Sequence, residues 1–268
     1  APSAHKKIQR KLVEAMRLGK IFLYFISFSL LFFSVGFVGE SHAWWNDHWQ
    51  YRKKIAFDTT ANGADIKQNL DEIPVLIRLH SGNFNFTHAR EDGQDIRFVS
   101  SDNQILLKHH IERYDILDEL ALVWVKVPRL SADSALDYIW MYYGNQDAMG
   151  GQDAGGTYDP GYAGVYHFSE LEGPPQESSS YGNDAVRFSG GQGLPSVIGT
   201  GLTLAGGGDS IRIADSPSID LSDGFTISTW IRINQPHPDA VLFTKGEGAG
   251  SVLVGVEGTK VYCRVGIN

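Results

Sequence analysis

The chain has one cysteine, Cys263, so no disulfide can form within its 268 residues. Its sheets must be held by burial and backbone hydrogen bonds, which a chain of this length can supply. Cys263 alternates with Val261, Val265 and Ile267, the pattern of a small buried hydrophobe rather than a reactive thiol. Positive charge is also in deficit: 23 Lys and Arg against 31 Asp and Glu give a net charge of −8. Six of those basic and two of those acidic residues precede Trp44, so the part from Trp44 onward carries −12. Such a balance argues against nucleic acid and anionic lipid, which need a basic face. It suits neutral glycans, cations or a basic protein patch. Glycine is scarce from Trp44 to Tyr143, with three, whereas 24 occur from Gly144 to the end. Helix-period stretches are missing after Trp44, and period-two alternation takes their place.

The longest apolar run is Ile21 to Val38, eighteen residues without charge in which only Ser27, Ser29 and Ser34 are polar. Arg17 and Lys20 precede it, and Ser41-His42-Ala43 comes after it. A basic start, an apolar middle and small residues before the end are the parts of a secretory signal, with cleavage expected between Ala43 and Trp44. Its 18 residues also reach the threshold for a membrane-spanning anchor. Met16 reads as the start, residues 1–15 as an upstream extension and 16–43 as the signal peptide or signal anchor. The chain from Trp44 onward is expected outside the cytoplasm, in the periplasm or at the surface of a bacterium.

The glycine break, Gly144-Asn145 and then GGQDAGGTYDPGY, is turn and linker chemistry. It divides the remainder into 44–148, a Gly-rich linker at 149–161, and 162–268. In the first part Pro74–His80, Asp95–Ser100, Ile105–Tyr114, Ala121–Val127 and Tyr138–Tyr143 alternate as strands. In the second, strands are expected at Val165–Phe168, Ala185–Phe188, Leu202–Ala205, Ser210–Ile213, Phe225–Ile233, Ala240–Thr244, Val252–Val256 and Lys260–Ile267. The expected fold is all-β: two consecutive antiparallel β-sandwich, jelly-roll-like domains after a hydrophobic signal helix, the second incomplete.

The run WWNDHWQYRKKI, then IPVLIRL, GQDIRF, HHIERYD, ALVWVKVPRL and YIWMYYGN, resembles a bacterial exported domain of unknown function across about 44–145. From 162 to 268, GVYHFSELEG, SSSYGNDA and DLSDGFTISTWIRI are similar to the concanavalin A-like, laminin-G-type lectin domain. Glu177 and Ile219 depart from its usual pattern. Together these resemblances imply an envelope protein, of a kind that can carry a C-terminal MotA/TolQ/ExbB proton channel. The expected function is noncatalytic recognition of a polysaccharide or an envelope protein. The alternatives are a docking front end for such a channel, which would lie beyond Asn268, and a glycoside hydrolase. Contact with the inner membrane would come only through an uncleaved leader or that channel.

Chemistry is sparse. His109 and His110 are adjacent, so a regular strand turns them to opposite faces and they cannot chelate one ion. His109 falls with Ile105, Leu107 and Ile111 as a satisfied core histidine, and His110 with Lys108 and Glu112 on a wetter face. Glu170 and Glu172 would share a strand face, as a glycosidase pair must, but the Glu-x-Asp-x-x-Glu pattern of the fold's hydrolases is absent, so no enzyme is expected. Asp184, Asp209, Asp215, Asp220 and Asp223 fall in turns. Oxygen-rich turns suit calcium, the one cofactor considered, with Asp184, Asp209 and Asp215 as its ligands. Turn aspartates equally cap their own backbone. Ligand contacts are expected from Tyr181, Asn183, Asp209 and Trp230.

Overall fold

The computed structural model describes residues 44–158, 160–220, 224–235, 239–246 and 251–266. The expected leader, Ala43 and Asp223 lie outside them. Among the described residues no helix is long and apolar enough to cross a membrane. The fold is all-β, and every strand pairing is antiparallel.

Two sheets form a sandwich. In the first, β1 (Tyr51–Ala56), β7 (Tyr138–Tyr143), β3 (Arg97–Val99) and β4 (Leu106–Leu107) lie side by side in that order. In the second, the order is β2 (Leu70–His80), β6 (Leu120–Leu130) and β5 (His109–Asp115). The alternation of the sequence sets the register. Ile55 lies opposite Ile139, Phe98 opposite Met141, and Val75, Ile77 and Leu79 opposite Val125, Val123 and Ala121. These residues fill the space between the sheets, with Phe98, Val123, Val125 and Met141 fully buried. Each such side chain contributes about 1.5–3 kcal/mol over its exposed state. Slipping one residue would turn each set to solvent.

Asp95 ties the first sheet to its loops. It is fully buried, and its carboxylate accepts from the N–H groups of Arg90 (3.0 Å), Gly144 (2.6 Å) and Asn145 (3.2 Å). Its carbonyl accepts from Trp49 Nε1 at 2.6 Å, fixing the segment that leads into β1. Trp49 and Tyr142 pack with Val99 and Ala148 in a small second cluster on the outer side of this sheet.

The Gly-rich stretch runs along β5. The N–H of Asp153 donates to His109 C=O at 2.9 Å, Lys108 Nζ meets the Asp153 carboxylate at 2.5 Å, and Gln152 Oε1 accepts from Ile111 N–H at 2.7 Å. A single helical turn, α1 (Ala154–Thr157), comes next, capped by the Asp153 side chain.

Beyond it the sheets are small. β8 (Ala185–Ser189) pairs with β11 (Ser210–Ile213), and β9 (Gly191–Pro195) with β10 (Thr200–Thr203). β12 (Ala240–Lys245), β13 (Val252–Glu257) and β14 (Lys260–Val265) form a three-stranded meander. Three expectations fail here. Val165–Phe168 is irregular: none of the described strands pairs with it, and Phe168 at its end takes φ +56°, outside the extended region a strand needs. Phe225–Ile233 forms no strand: no described segment pairs with it, and Phe225, Ile227, Ile231 and Ile233 stay exposed. Cys263 is exposed rather than buried, since β14 is the outer strand of the meander and only Val252, Gly255 and Val256, all of β13, are buried in that sheet.

Candidate functional site

The outer face of the first sheet carries a strip of rings and cations. Tyr138, Trp140 and Tyr142 share one face of β7, because Ile139 and Met141 take the core face. Opposite them on β1 stand Ala56, Lys54 and Arg52. Each cation leans diagonally onto the next ring rather than the one directly across. The Arg52 guanidinium lies 4.3 Å from the Trp140 ring centroid, and Lys54 Nζ 3.9 Å from that of Tyr138. Such contacts contribute about 0.5–1 kcal/mol each at a wet surface. Trp140 Nε1 donates to Ser101 C=O at 3.2 Å, and Tyr138 meets Trp140 edge-on with centroids 5.7 Å apart. One end of the strip is closed: Tyr142 is fully buried, the Trp45 ring packs tilted against it with centroids 5.7 Å apart, and the Tyr142 hydroxyl donates to Asn103 Oδ1 at 2.7 Å. The other end, Trp140, Tyr138, Arg52 and Lys54, is half-buried to exposed. Trp44, at the expected cleavage point, is 40% exposed.

The outer face of the second sheet is covered instead. β5 pairs His110 with Trp124 and Ile111 with Val123, then skips, leaving Glu112 as the extra residue of a bulge. A bulge re-aims its side chain. Glu112 turns onto Trp124 Nε1 at 2.6 Å and His167 Nδ1 at 3.0 Å, and His167 Nε2 lies 3.0 Å from the Tyr158 hydroxyl. The Glu112 side chain is 2% exposed and that of His167 10%. Burial raises the Glu112 carboxyl, but the hydrogen bonds from His167 and Trp124 outweigh it and hold the group below the usual range. Burial, with the charge of Glu112, pushes the Tyr158 hydroxyl up. His110, 5.0 Å from the His167 ring, is pushed down to about 4 by burial and then by His167. A carboxylate–imidazole–hydroxyl chain can relay protons, but Tyr158 is 4% exposed and offers a substrate no approach. The cluster therefore works as a joint between the second sheet and the chain around 158–167.

The residues singled out from sequence are mostly turn formers. Asn183 is buried and donates through Nδ2 to Ala163 C=O (2.7 Å) and Ser218 Oγ (2.8 Å). Asp209 accepts from Ser189 Oγ and Ala205 N–H, both at 2.9 Å. Tyr181 is exposed, its hydroxyl donating to Pro160 C=O at 2.8 Å, and Trp230 is 73% exposed on irregular chain. Asp184 accepts from Glu177 N–H at 2.8 Å, and Lys245 Nζ holds the Asp215 carboxyl below the usual range. Among the described residues no group of three or more His, Cys, Asp or Glu is arranged to hold a metal ion, so Asp184, Asp209 and Asp215 do not form one. Glu170 lies in irregular chain rather than on a strand with Glu172, and its Oε1 accepts from Gln176 N–H at 2.9 Å. His109 is buried as expected against Phe98 but not satisfied: neither ring nitrogen makes a well-formed hydrogen bond. His110, read as facing water, is instead half-buried under His167 and Tyr158. Sequence reading missed both the strip and the joint. The strip was visible as the period-two aromatics of YIWMYY facing the Arg and Lys of YRKK; the bulge at Glu112 left no such trace.

An all-β protein with one open and one covered sandwich face is thus defined. Residues 92–183 match a domain of unknown function (DUF2341), a span from the turn before β3, across the Gly-rich stretch, to just before β8. No curated protein and no solved structure matches the chain significantly.

Proposed function

We propose that the chain is a noncatalytic recognition module that binds a polysaccharide on the ring strip of its first sheet. The observation that carries this is the pair of anchored rings, Trp140 and Tyr138, on a sheet face with Arg52 and Lys54 at 4.3 and 3.9 Å. Arg52 and Lys54 each cover one face of their ring, so a sugar would pack its C–H surface on the ring surface they leave, with the cations and hydroxyls donating to its oxygens. The reading belongs with an exported protein, delivered by the run from Ile21 to Val38. It also keeps the lectin-like resemblance of 162–268 as a second, weaker contact surface around Trp230. Affinity electrophoresis through gels cast with different polysaccharides tests it. Retardation by at least one polysaccharide, lost in Trp140→Ala and retained in Trp230→Ala, supports the strip. Retardation lost only in Trp230→Ala moves the site to the second half, and no retardation by neutral or acidic polysaccharides refutes the function.

A further inference from the structure

The open side of the sandwich, where β1 ends one sheet and β2 the other, holds a cleft of about 400 Å³. Ile55, Phe57, Val75 and Ile77 supply apolar walls, and Lys53, Lys54 and Arg78 are the only charged residues lining it. Three cations without a carboxylate stand out in a chain of net charge −8.

The two edges differ. On β2, the Asn83 side chain accepts from His80 N–H at 2.9 Å and donates to Arg78 C=O at 3.0 Å, and Pro74 has no N–H to offer. That edge is blunted, as exposed edges usually are. On β1, Phe57 N–H donates to Asp137 C=O at 2.9 Å, continuing the ladder to β7. Alternation then directs the backbone groups of Lys53 and Ile55 to β7, and those of Lys54 and Ala56 outward. Lysine on an edge deters an apolar strand and favours an acidic one.

We infer that this cleft docks an extended, acidic segment of a partner protein, which adds as a strand to the free edge of β1. Backbone bonds to Lys54 and Ala56 hold it, its apolar side chains enter the cleft beside Ile55 and Val75, and its carboxylates, on the alternate face, meet Lys54 at the outer rim. This is strand addition with charge selecting the partner. The edge adjoins the ring strip and shares Lys54 with it, but it uses the backbone of β1 rather than the rings of Tyr138 and Trp140.

The probe is a labelled, end-blocked peptide that alternates valine with aspartate, matched to the six residues of β1, monitored by fluorescence anisotropy with the full chain in mild detergent. Saturable binding is expected, weakened about tenfold or more when alternate peptide nitrogens are methylated. Lys54→Glu should weaken it similarly, and a lysine-for-aspartate peptide should not bind. No binding of the acidic peptide overturns the proposal. Equal binding of the methylated peptide also overturns it, by reducing the contact to surface charge, and this comparison needs no altered protein.

Discussion

Replacing Asp95 by Asn removes one charge and one acceptor from a site that uses both oxygens. One carboxylate oxygen accepts from Arg90 N–H and the other from Gly144 and Asn145 N–H, all within the buried loop junction. An amide has a single oxygen. Its better orientation keeps Gly144 and Asn145 and turns its NH₂ on the Arg90 N–H, donor against donor. Losing a charge-assisted bond and orphaning its donor costs about 1.5–3 kcal/mol, and weakening the two retained bonds adds roughly 0.5–1. The sum, about 2–4 kcal/mol, is a large share of the ~5–15 kcal/mol that holds a typical domain. Urea unfolding monitored by tryptophan fluorescence measures it. Trp49 donates to the Asp95 carbonyl and reports on the same junction. A midpoint loss equivalent to less than about 0.5 kcal/mol would refute the assignment of Asp95 as the tie.

The geometry sets three further outcomes. Burial, and then the nearby Arg97 charge, push His109 from 6.5 down to about 4. The unfolded chain therefore takes up the proton first. His109 contributes full stability above pH ~6.5 and loses up to about 3 kcal/mol as pH falls toward 4. His109→Met should flatten the stability–pH curve in that window, and an unchanged slope would count against it. Glu112→Ala orphans the Trp124 and His167 donors and should cost about 3–5 kcal/mol by thermal unfolding. It should also raise protease cutting between 158 and 185, whereas an intact melting curve would show that the joint holds nothing. Gly93→Ala asks a side chain to take φ +67° with its Cβ 2.5 Å from the Tyr114 ring, so a loss of about 1–3 kcal/mol is expected in the same melt.

The sandwich was readable because its strands are half-buried. In β6 the alternation of Val123, Val125 and Val127 with the half-buried Trp124 and Lys126 is a direct image of two faces, and β2 and β7 repeat it. The same pattern in Phe225–Ile233 misled, because alternation marks a strand's face and not its neighbour: the segment finds no pairing partner among the described residues. Phe168 shows the complementary failure, where a single positive φ ends an apolar stretch that reads as extended. Turn aspartates such as Asp184 and Asp209 had two readings from sequence, capping or calcium, and the hydrogen bonds each makes are those of turn formation. The joint depended on one extra residue in β5, and an insertion of that kind has no compositional signature.

The most direct test of recognition by the ring strip is the indole N–H spectrum of the ¹⁵N-tryptophan-labelled chain during titration with oligosaccharides from a retained polysaccharide. The Trp140 resonance should shift in a saturable way while that of Trp230 stays in place. Movement of Trp230 with Trp140 unmoved would contradict the account.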